Sequence, residues 1–113
     1  MNIGKIQLQL AAFAKERDWD QFHSPKNLSM ALAGESGELL EIFQWLTQGG
    51  SERSALSEEQ LQSATDELAD ILIYALRLAD RLSIDLETAI VEKIKKNAAR
   101  YTIEVARGNA KKR

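Results

Sequence analysis

The most regular pattern of apolar positions lies between residues 27 and 46. Apolar side chains recur there at the spacing of a helix that packs against other helices. They are Leu28, Leu32, Leu39, Ile42 and Leu46. The inward-facing position between Leu32 and Leu39 is occupied by Glu35, and Glu38 is its neighbour one helical turn further on. An ionised carboxylate is costly in an apolar core unless it is paired or bound to a metal. The pattern therefore predicts a core helix with two glutamates that need a partner.

Capping signals divide the chain into four predicted helices. The first runs over about residues 3–17. Ser24-Pro25 is typical of a helix start, and Gly49-Gly50 is a stop signal that predicts the end of the central helix near Thr47. Residues 57–60 read Ser-Glu-Glu-Gln, a capping box for the third helix, and Asp85 predicts the cap of the fourth. No stretch alternates with the period of two typical of strands. We therefore expect an all-α, four-helix arrangement.

The third predicted helix is apolar nearly all round over residues 68–79, which predicts the most buried element of the fold. A chain of 113 residues with such a helix has more apolar surface than three short neighbours cover. Association of identical helices would bury the excess. We therefore expect a homo-oligomer.

Composition narrows the class of protein. The length predicts one domain over residues 1–106, followed by a flexible basic tail over residues 107–113. The chain has no cysteine, which excludes disulfides, thiolate metal sites and a cysteine nucleophile. It has neither a membrane-spanning apolar run nor the pattern of a secretory signal, so we expect a cytoplasmic protein with no membrane partner.

Charge is distributed unevenly although the net charge is only −2. Residues 91–113 contain eight lysines or arginines and two glutamates, whereas residues 35–87 are acidic. Separate acidic and basic regions suit a metal–polyphosphate site. They equally suit a nucleic-acid-binding tail or a solvated end, so charge alone does not decide between these.

The third helix contains a second acidic pair, Glu67 and Asp70, at the edge of its apolar segment. If the second and third helices pack antiparallel, the four carboxylates of Glu35, Glu38, Glu67 and Asp70 can converge. Such a group repels itself, and a divalent cation removes the conflict. An all-oxygen site favours Mg²⁺, with Mn²⁺ or Ca²⁺ as substitutes. For either pair alone, a solvated helix face is the simpler interpretation.

Polar and basic residues of the fourth helix form a second candidate site. Lys93, Asn97 and Arg100 share one stripe beside Tyr101. Cationic groups and an amide on one face can bind phosphates. The alternative is a basic face that only contacts solvent.

Aromatic residues form the third candidate site. Trp19, Phe22 and His23 lie in the predicted loop before the central helix, and Trp45 lies near the end of that helix. Flat side chains can sandwich a nucleobase, and His23 can form a hydrogen bond with it. Alternatively, the aromatics close the ends of the core.

Together these motifs resemble the MazG-like nucleotide pyrophosphohydrolases, and most of all their short, single-domain dCTP pyrophosphatase group. The likeness rests on Glu35-x-x-Glu38, on Glu67-x-x-Asp70 and on Lys93-x-x-x-Asn97-x-x-Arg100-Tyr101. The flanking segments at residues 16–23, 34–39, 43–45 and 67–74 resemble that group too.

The resemblance implies an all-α fold in which dimers, often paired into tetramers, build active sites between subunits. It implies Mg²⁺-dependent hydrolysis of a nucleoside triphosphate, such as dCTP or a related pyrimidine dNTP, to the monophosphate and pyrophosphate. The chain offers no candidate nucleophile for a covalent route, so we expect direct attack by water, with either Glu35 or Glu38 as general base. The implied ligands of Mg²⁺ are Glu35, Glu38, Glu67 and Asp70. The implied phosphate contacts are Lys93, Asn97 and Arg100, with Tyr74 nearby. The implied surroundings of the base are Trp19, His23 and Trp45.

Three other interpretations compete with this one, and the residues argue against the last two. The same chemistry could act on dUTP, a purine dNTP, a modified dNTP or phosphoribosyl-ATP. A di-iron carboxylate bundle needs Glu-x-x-His pairs. The single histidine, His23, does not follow a glutamate at that spacing, so this class is not expected. A non-enzymatic module that binds nucleic acid or protein through the basic tail leaves the inward carboxylates unexplained, so a nucleic-acid partner is not expected.

Overall fold

The computed structural model describes residues 1–112, and over that range it contains helices and no strands. The all-α prediction is confirmed. Contacts between Cα atoms divide the chain into two compact units, Met1–Ser83 and the residues from Ile84 onward.

The first unit contains three long helices. They are α1 (Ile3–Glu16), α2 (Pro25–Phe43) and α3 (Glu58–Arg81). Short 3₁₀ turns at Asp20–Phe22, Gly49–Ser51 and Arg53–Ala55 lie in the connections between them. Both α1 and α2 pack on α3, and α2 does so more extensively. The Gln7 side-chain amide also ties α1 to α3, because it donates to the Leu76 carbonyl at 3.0 Å.

The predicted helix starts are confirmed by their hydrogen bonds. The Ser24 hydroxyl accepts from the Asn27 N–H at 3.1 Å, ahead of Pro25 in the first turn of α2. At the start of α3, the Ser57 hydroxyl accepts from the Gln60 N–H at 3.0 Å, and the Gln60 side chain accepts from the Ser57 N–H at 2.9 Å. These caps satisfy backbone donors that have no partner within the helix.

The end of α2 differs from the prediction, which placed it near Thr47. The helix ends at Phe43, and the chain continues in turns. The Thr47 hydroxyl accepts from the Gly50 N–H at 2.9 Å, and this local bond competes with a helical conformation. Trp45 therefore lies beyond the helix rather than within its last turn.

The apolar core of the first unit is small. Its buried members are Ala14, Leu28, Ala64, Leu76 and Ala79, and Leu28 is the largest side chain that is fully enclosed. The prediction that α3 is the most buried element is confirmed, because this helix contributes more buried residues than any other. Even so, Leu68 and Leu72 are 52% and 48% exposed in the single chain. The reason is geometric: α1 and α2 cover one side of α3 and leave these leucines outside.

The second unit contains α4 (Leu86–Arg100) and a short α5 (Ile103–Ala106). Asp85 caps α4 as predicted, accepting from the Thr88 N–H at 3.2 Å. The four-helix prediction missed α5, which the Thr102 hydroxyl caps by accepting from the Val105 N–H at 3.4 Å. Of the predicted flexible tail, residues 107–112 follow α5 outside any helix, and Arg113 lies outside the described residues. Within residues 1–112, no helix is both long and apolar enough to cross a membrane.

Candidate functional site

Three of the predicted metal ligands meet where α2 packs on α3. One carboxylate oxygen from each of Glu35, Glu38 and Glu67 lies within 4.8 Å of the others. Glu35 and Glu67 are half-buried, and Glu38 is exposed. Oε2 of Glu35 and Oε2 of Glu67 are buried and have no hydrogen-bond partner. We call these three residues the carboxylate cluster.

The cluster raises the pKa of Glu67 to about 7. The largest cause is hydrogen bonding to the Glu35 carboxyl, followed by desolvation and by the Glu38 carboxyl. Ionised carboxylates only accept hydrogen bonds, so two of them can share a bond only if a proton stays between them. The cluster therefore needs either a retained proton or a cation.

The donor set fits a hard divalent cation. Such ions take oxygen ligands, and two cluster oxygens are buried without a donor. Asp70, the fourth predicted ligand, is not among the three residues that converge; it lies one turn from Glu67 and lines a neighbouring cavity. The single chain thus brings together three of the four predicted carboxylates.

A pH-dependent response to metal follows from the raised pKa of Glu67. Because this pKa lies above 4.5, the folded chain without metal binds more protons than the unfolded chain between about pH 4.5 and pH 7. Its free energy of unfolding therefore falls as pH rises through this window. A cation relieves the conflict that deprotonation creates, so we expect Mg²⁺ to raise Tm more at about pH 8 than at about pH 6.

Differential scanning fluorimetry with and without Mg²⁺ at the two pH values checks this expectation. Glu67→Gln is the control, because it should remove most of the difference between the two pH values. An equal rise in Tm at both pH values in the unaltered chain contradicts the prediction.

A cavity of about 470 Å³ brings together several of the predicted base contacts. Trp19, His23 and Tyr74 line it, as does Asp70. Its apolar wall is formed by Leu10, Phe13 and Ile73. The Trp19 ring packs edge-on against Phe13, with a centroid distance of 5.6 Å, and lies 6.2 Å from the His23 ring. The cavity therefore has flat aromatic walls and a few polar groups, as small-molecule sites do.

Arg77 is a cavity residue that the sequence reasoning missed. Its guanidinium is buried, and Nη2 donates to Asp20 Oδ1 at 2.8 Å. Nε donates to His23 Nδ1 at 3.3 Å. The sequence feature that could have identified it is a single arginine inside the apolar run of residues 68–79, since arginine is almost never fully buried unless it is paired.

The remaining predicted residues are placed differently. Trp45 is 88% exposed and does not line the cavity. Lys93, Asn97 and Arg100 are exposed on α4, in the second unit. Their contacts with a substrate stay predictions.

Comparison with known proteins supports the motif-based resemblance. The model of the MazG-like family matches residues 31–113. The chain belongs to the MazG-like family. The predicted likeness to the dCTP pyrophosphatase group is also confirmed: this MazG-like chain is 45% identical over 102 residues to dCTP pyrophosphatase 1 of Homo sapiens, and 44% identical over 100 residues to that of Rattus norvegicus.

These alignments cover 90% and 88% of the chain but 60% and 59% of the relatives, so the chain spans about three-fifths of the curated relatives it matches. The fold is similar to a crystal structure of a pyrophosphatase from Archaeoglobus fulgidus. The TM-score is 0.81 at 35% identity, over 90% of this chain and 94% of that one.

Proposed function

We propose that this MazG-like chain hydrolyses a nucleoside triphosphate to the monophosphate and pyrophosphate, with dCTP or a related pyrimidine dNTP as substrate and Mg²⁺ as cofactor. The observation that carries the proposal is the carboxylate cluster with its two buried, unpartnered oxygens. Asp70 links this cluster to the cavity, since it is one turn from Glu67 and lines the cavity wall. The similarity to proteins named dCTP pyrophosphatase supports the choice of substrate.

In this proposal Glu35, Glu38 and Glu67 hold Mg²⁺, with Asp70 completing the predicted ligand set. When bound, Mg²⁺ neutralises charge on the phosphate oxygens. Glu38 is the exposed member of the cluster and is therefore suited to accept a proton from the attacking water. The chain has no cysteine, and no candidate nucleophile for a covalent route stands out, so direct hydrolysis is preferred.

The base and the phosphates are assigned to different residues. Trp19 and the apolar cavity wall offer flat surface for stacking a base, and His23 adds a polar group beside it. Tyr74 lies in the same cavity. We assign the phosphates to Lys93, Asn97 and Arg100, which combine two cations with an amide.

Release of pyrophosphate from a panel of natural and modified NTPs and dNTPs, with Mg²⁺ and with EDTA, tests the proposed function. We expect metal-dependent formation of pyrophosphate and a nucleoside monophosphate, with a pyrimidine dNTP preferred. Preference for dUTP, a purine dNTP or phosphoribosyl-ATP would keep the chemistry and correct the substrate. A folded protein that neither binds Mg²⁺ nor releases pyrophosphate contradicts the proposal.

Self-association into a homodimer or homotetramer is part of the same proposal. Several large apolar side chains are exposed to solvent, among them those of Leu68, Leu72 and Trp45. Burial of such surface drives association. Such an assembly would place the sites near subunit interfaces and would give Trp45 a partner.

Charge placed on the exposed side of α3 should weaken this association. We expect Leu72→Glu to shift the protein towards monomer by at least about tenfold in dissociation constant, because a charge in an apolar interface is costly. Leu8→Glu is the matched control on α1, since Leu8 is also exposed, at 74%. Sedimentation velocity at micromolar concentration measures both variants. Unaltered protein that sediments as a stable monomer contradicts a shared site.

A further inference from the structure

Arg77 is the one buried charged side chain in residues 1–112, and it joins α3 to the loop that precedes α2. It bonds Asp20 at 2.8 Å and His23 at 3.3 Å, and its Nη1 lies 3.6 Å from Asp80 Oδ2. Asp20 and His23 are close in sequence, at the two ends of the Asp20–Phe22 turn. Asp20 holds the guanidinium on one side while Nε faces the imidazole on the other.

The direction of the Arg77–His23 hydrogen bond determines which ring nitrogen of His23 carries the proton. A guanidinium has only donors, so Nδ1 of His23 must be the acceptor. An acceptor nitrogen carries no proton, and a neutral imidazole then carries its single proton on Nε2. Burial and the Arg77 charge lower the pKa of His23, Arg81 acts in the same direction, and Asp20 opposes them. The ring is therefore neutral near pH 7.

We propose that Arg77 is a positioning residue that holds His23 in the Nε2–H tautomer, so that the imidazole offers the nucleobase a hydrogen-bond donor. The inference rests on the proposed function, because it takes a nucleobase as the occupant of the cavity that both residues line. Arg77 itself need not touch the substrate.

The tautomer has a consequence for base selection. An Nε2–H donor pairs with a carbonyl oxygen or an unprotonated ring nitrogen, such as O2 or N3 of cytosine. A base with an N–H at the same point would face the Nε2–H of His23 with a second donor, so neither group would find an acceptor. An unpaired polar group in a partly buried site is costly. The opposite tautomer would reverse this preference. Arg77 thus acts on specificity through the polarity of His23.

The chain contains a single histidine, so its tautomer can be read directly. In protein labelled with ¹⁵N-histidine, nitrogen–proton correlation spectra distinguish a protonated from an unprotonated ring nitrogen. At about pH 7.5, above the ordinary pKa of histidine, we expect protonated Nε2 and unprotonated Nδ1 in the unaltered protein without nucleotide.

Variants separate the hydrogen bond from the charge. Arg77→Met keeps an apolar side chain of similar length but removes the donor, so we expect a mixture of the two tautomers. Arg81→Met is the matched control, since it removes a positive charge one turn along α3 that contributes to the His23 environment. It should keep the Nε2–H tautomer. Arg77→Lys retains a cationic donor and should restore much of the original spectrum.

Kinetics provide the second measurement. We expect Arg77→Met to raise KM for the preferred nucleotide about three- to tenfold and to change kcat little. The reason is that the variant weakens the hydrogen bond from His23 to the nucleobase, which contributes equally to ground-state and transition-state binding. A purely structural role would lower the folded fraction and leave the tautomer and KM of the folded enzyme unaltered.

The outcomes are distinguishable. A charged His23 or an Nδ1–H tautomer in the active, unaltered enzyme overturns the role of Arg77 alone, and this result needs no variant to fold. Retention of the pure Nε2–H tautomer in folded Arg77→Met also overturns it. An Nε2–H tautomer in a protein that hydrolyses no nucleotide overturns the proposed function, and with it the part of the inference that concerns the nucleobase.

Discussion

Glu38→Gln is expected to leave a folded protein that has lost turnover. The substitution keeps the size of the side chain but removes a charge from the carboxylate cluster and the candidate base for water activation. Loss of partners that merely orient metal ligands typically costs about 10- to 100-fold, so loss of a direct ligand and base should lower kcat at least about 100-fold. Pyrophosphate release at saturating Mg²⁺ and nucleotide gives kcat, and circular dichroism reports the fold.

Glu41→Gln is the matched control for that variant. Glu41 lies one turn further along α2, is exposed and is not part of the carboxylate cluster. It loses the same charge, and we expect kcat to stay within about twofold because surface charges affect such chemistry weakly. Equal activity of Glu38→Gln and unaltered enzyme would remove Glu38 from the mechanism.

Leu28→Ala is expected to be the most destabilising truncation of an apolar side chain in the first unit. Leu28 is the largest side chain that is fully enclosed, at 1% exposure. Truncation of such a leucine costs about 2–5 kcal/mol, because it loses buried apolar surface and leaves a cavity. Domains are stable by only about 5–15 kcal/mol, so this is a large share of the total. Urea denaturation gives the free energy of unfolding.

Leu40→Ala is the control on the same helix. Leu40 is 61% exposed, so truncation should change the free energy of unfolding by less than about 0.5 kcal/mol if the side chain meets only solvent. A larger loss that depends on protein concentration would place Leu40 in a subunit interface. Similar losses for Leu28→Ala and Leu40→Ala would contradict the assignment of Leu28 to the core.

The sequence was most informative where a local pattern has a direct physical cause. The caps Ser24, Ser57 and Asp85 are predicted because a short polar side chain at a helix start can accept a hydrogen bond from a free backbone N–H. The structure confirms each of them. Glu35 and Glu67 could be singled out because each acidic pair interrupts an apolar stripe. Whether the two pairs meet depends on how the helices pack. In the structure, three of the four carboxylates lie in one group.

Features that depend on distant partners could not be predicted. Arg77 meets Asp20 and His23 from more than 50 positions away, and no spacing rule relates such positions. The exposure of Leu68 and Leu72 depends on which sides of α3 the other helices cover. The early end of α2 is a local effect: the Thr47 hydroxyl accepts from the Gly50 N–H, and the helix ends before Trp45.

The two tryptophans differ in their exposure to water, and this difference can be followed by intrinsic fluorescence. Trp19 packs against Phe13 in the cavity wall and is 42% exposed, whereas Trp45 is 88% exposed. Because an indole in water emits at longer wavelength than one shielded from it, Trp45 should emit at longer wavelength than Trp19. With Trp45 replaced by phenylalanine, the remaining emission would report on the proposed occupation of the cavity. With Trp19 replaced, it would report on the proposed burial of Trp45 by a second subunit. The two proposed events, ligand binding and self-association, can thus be tested in separate variants without an attached dye.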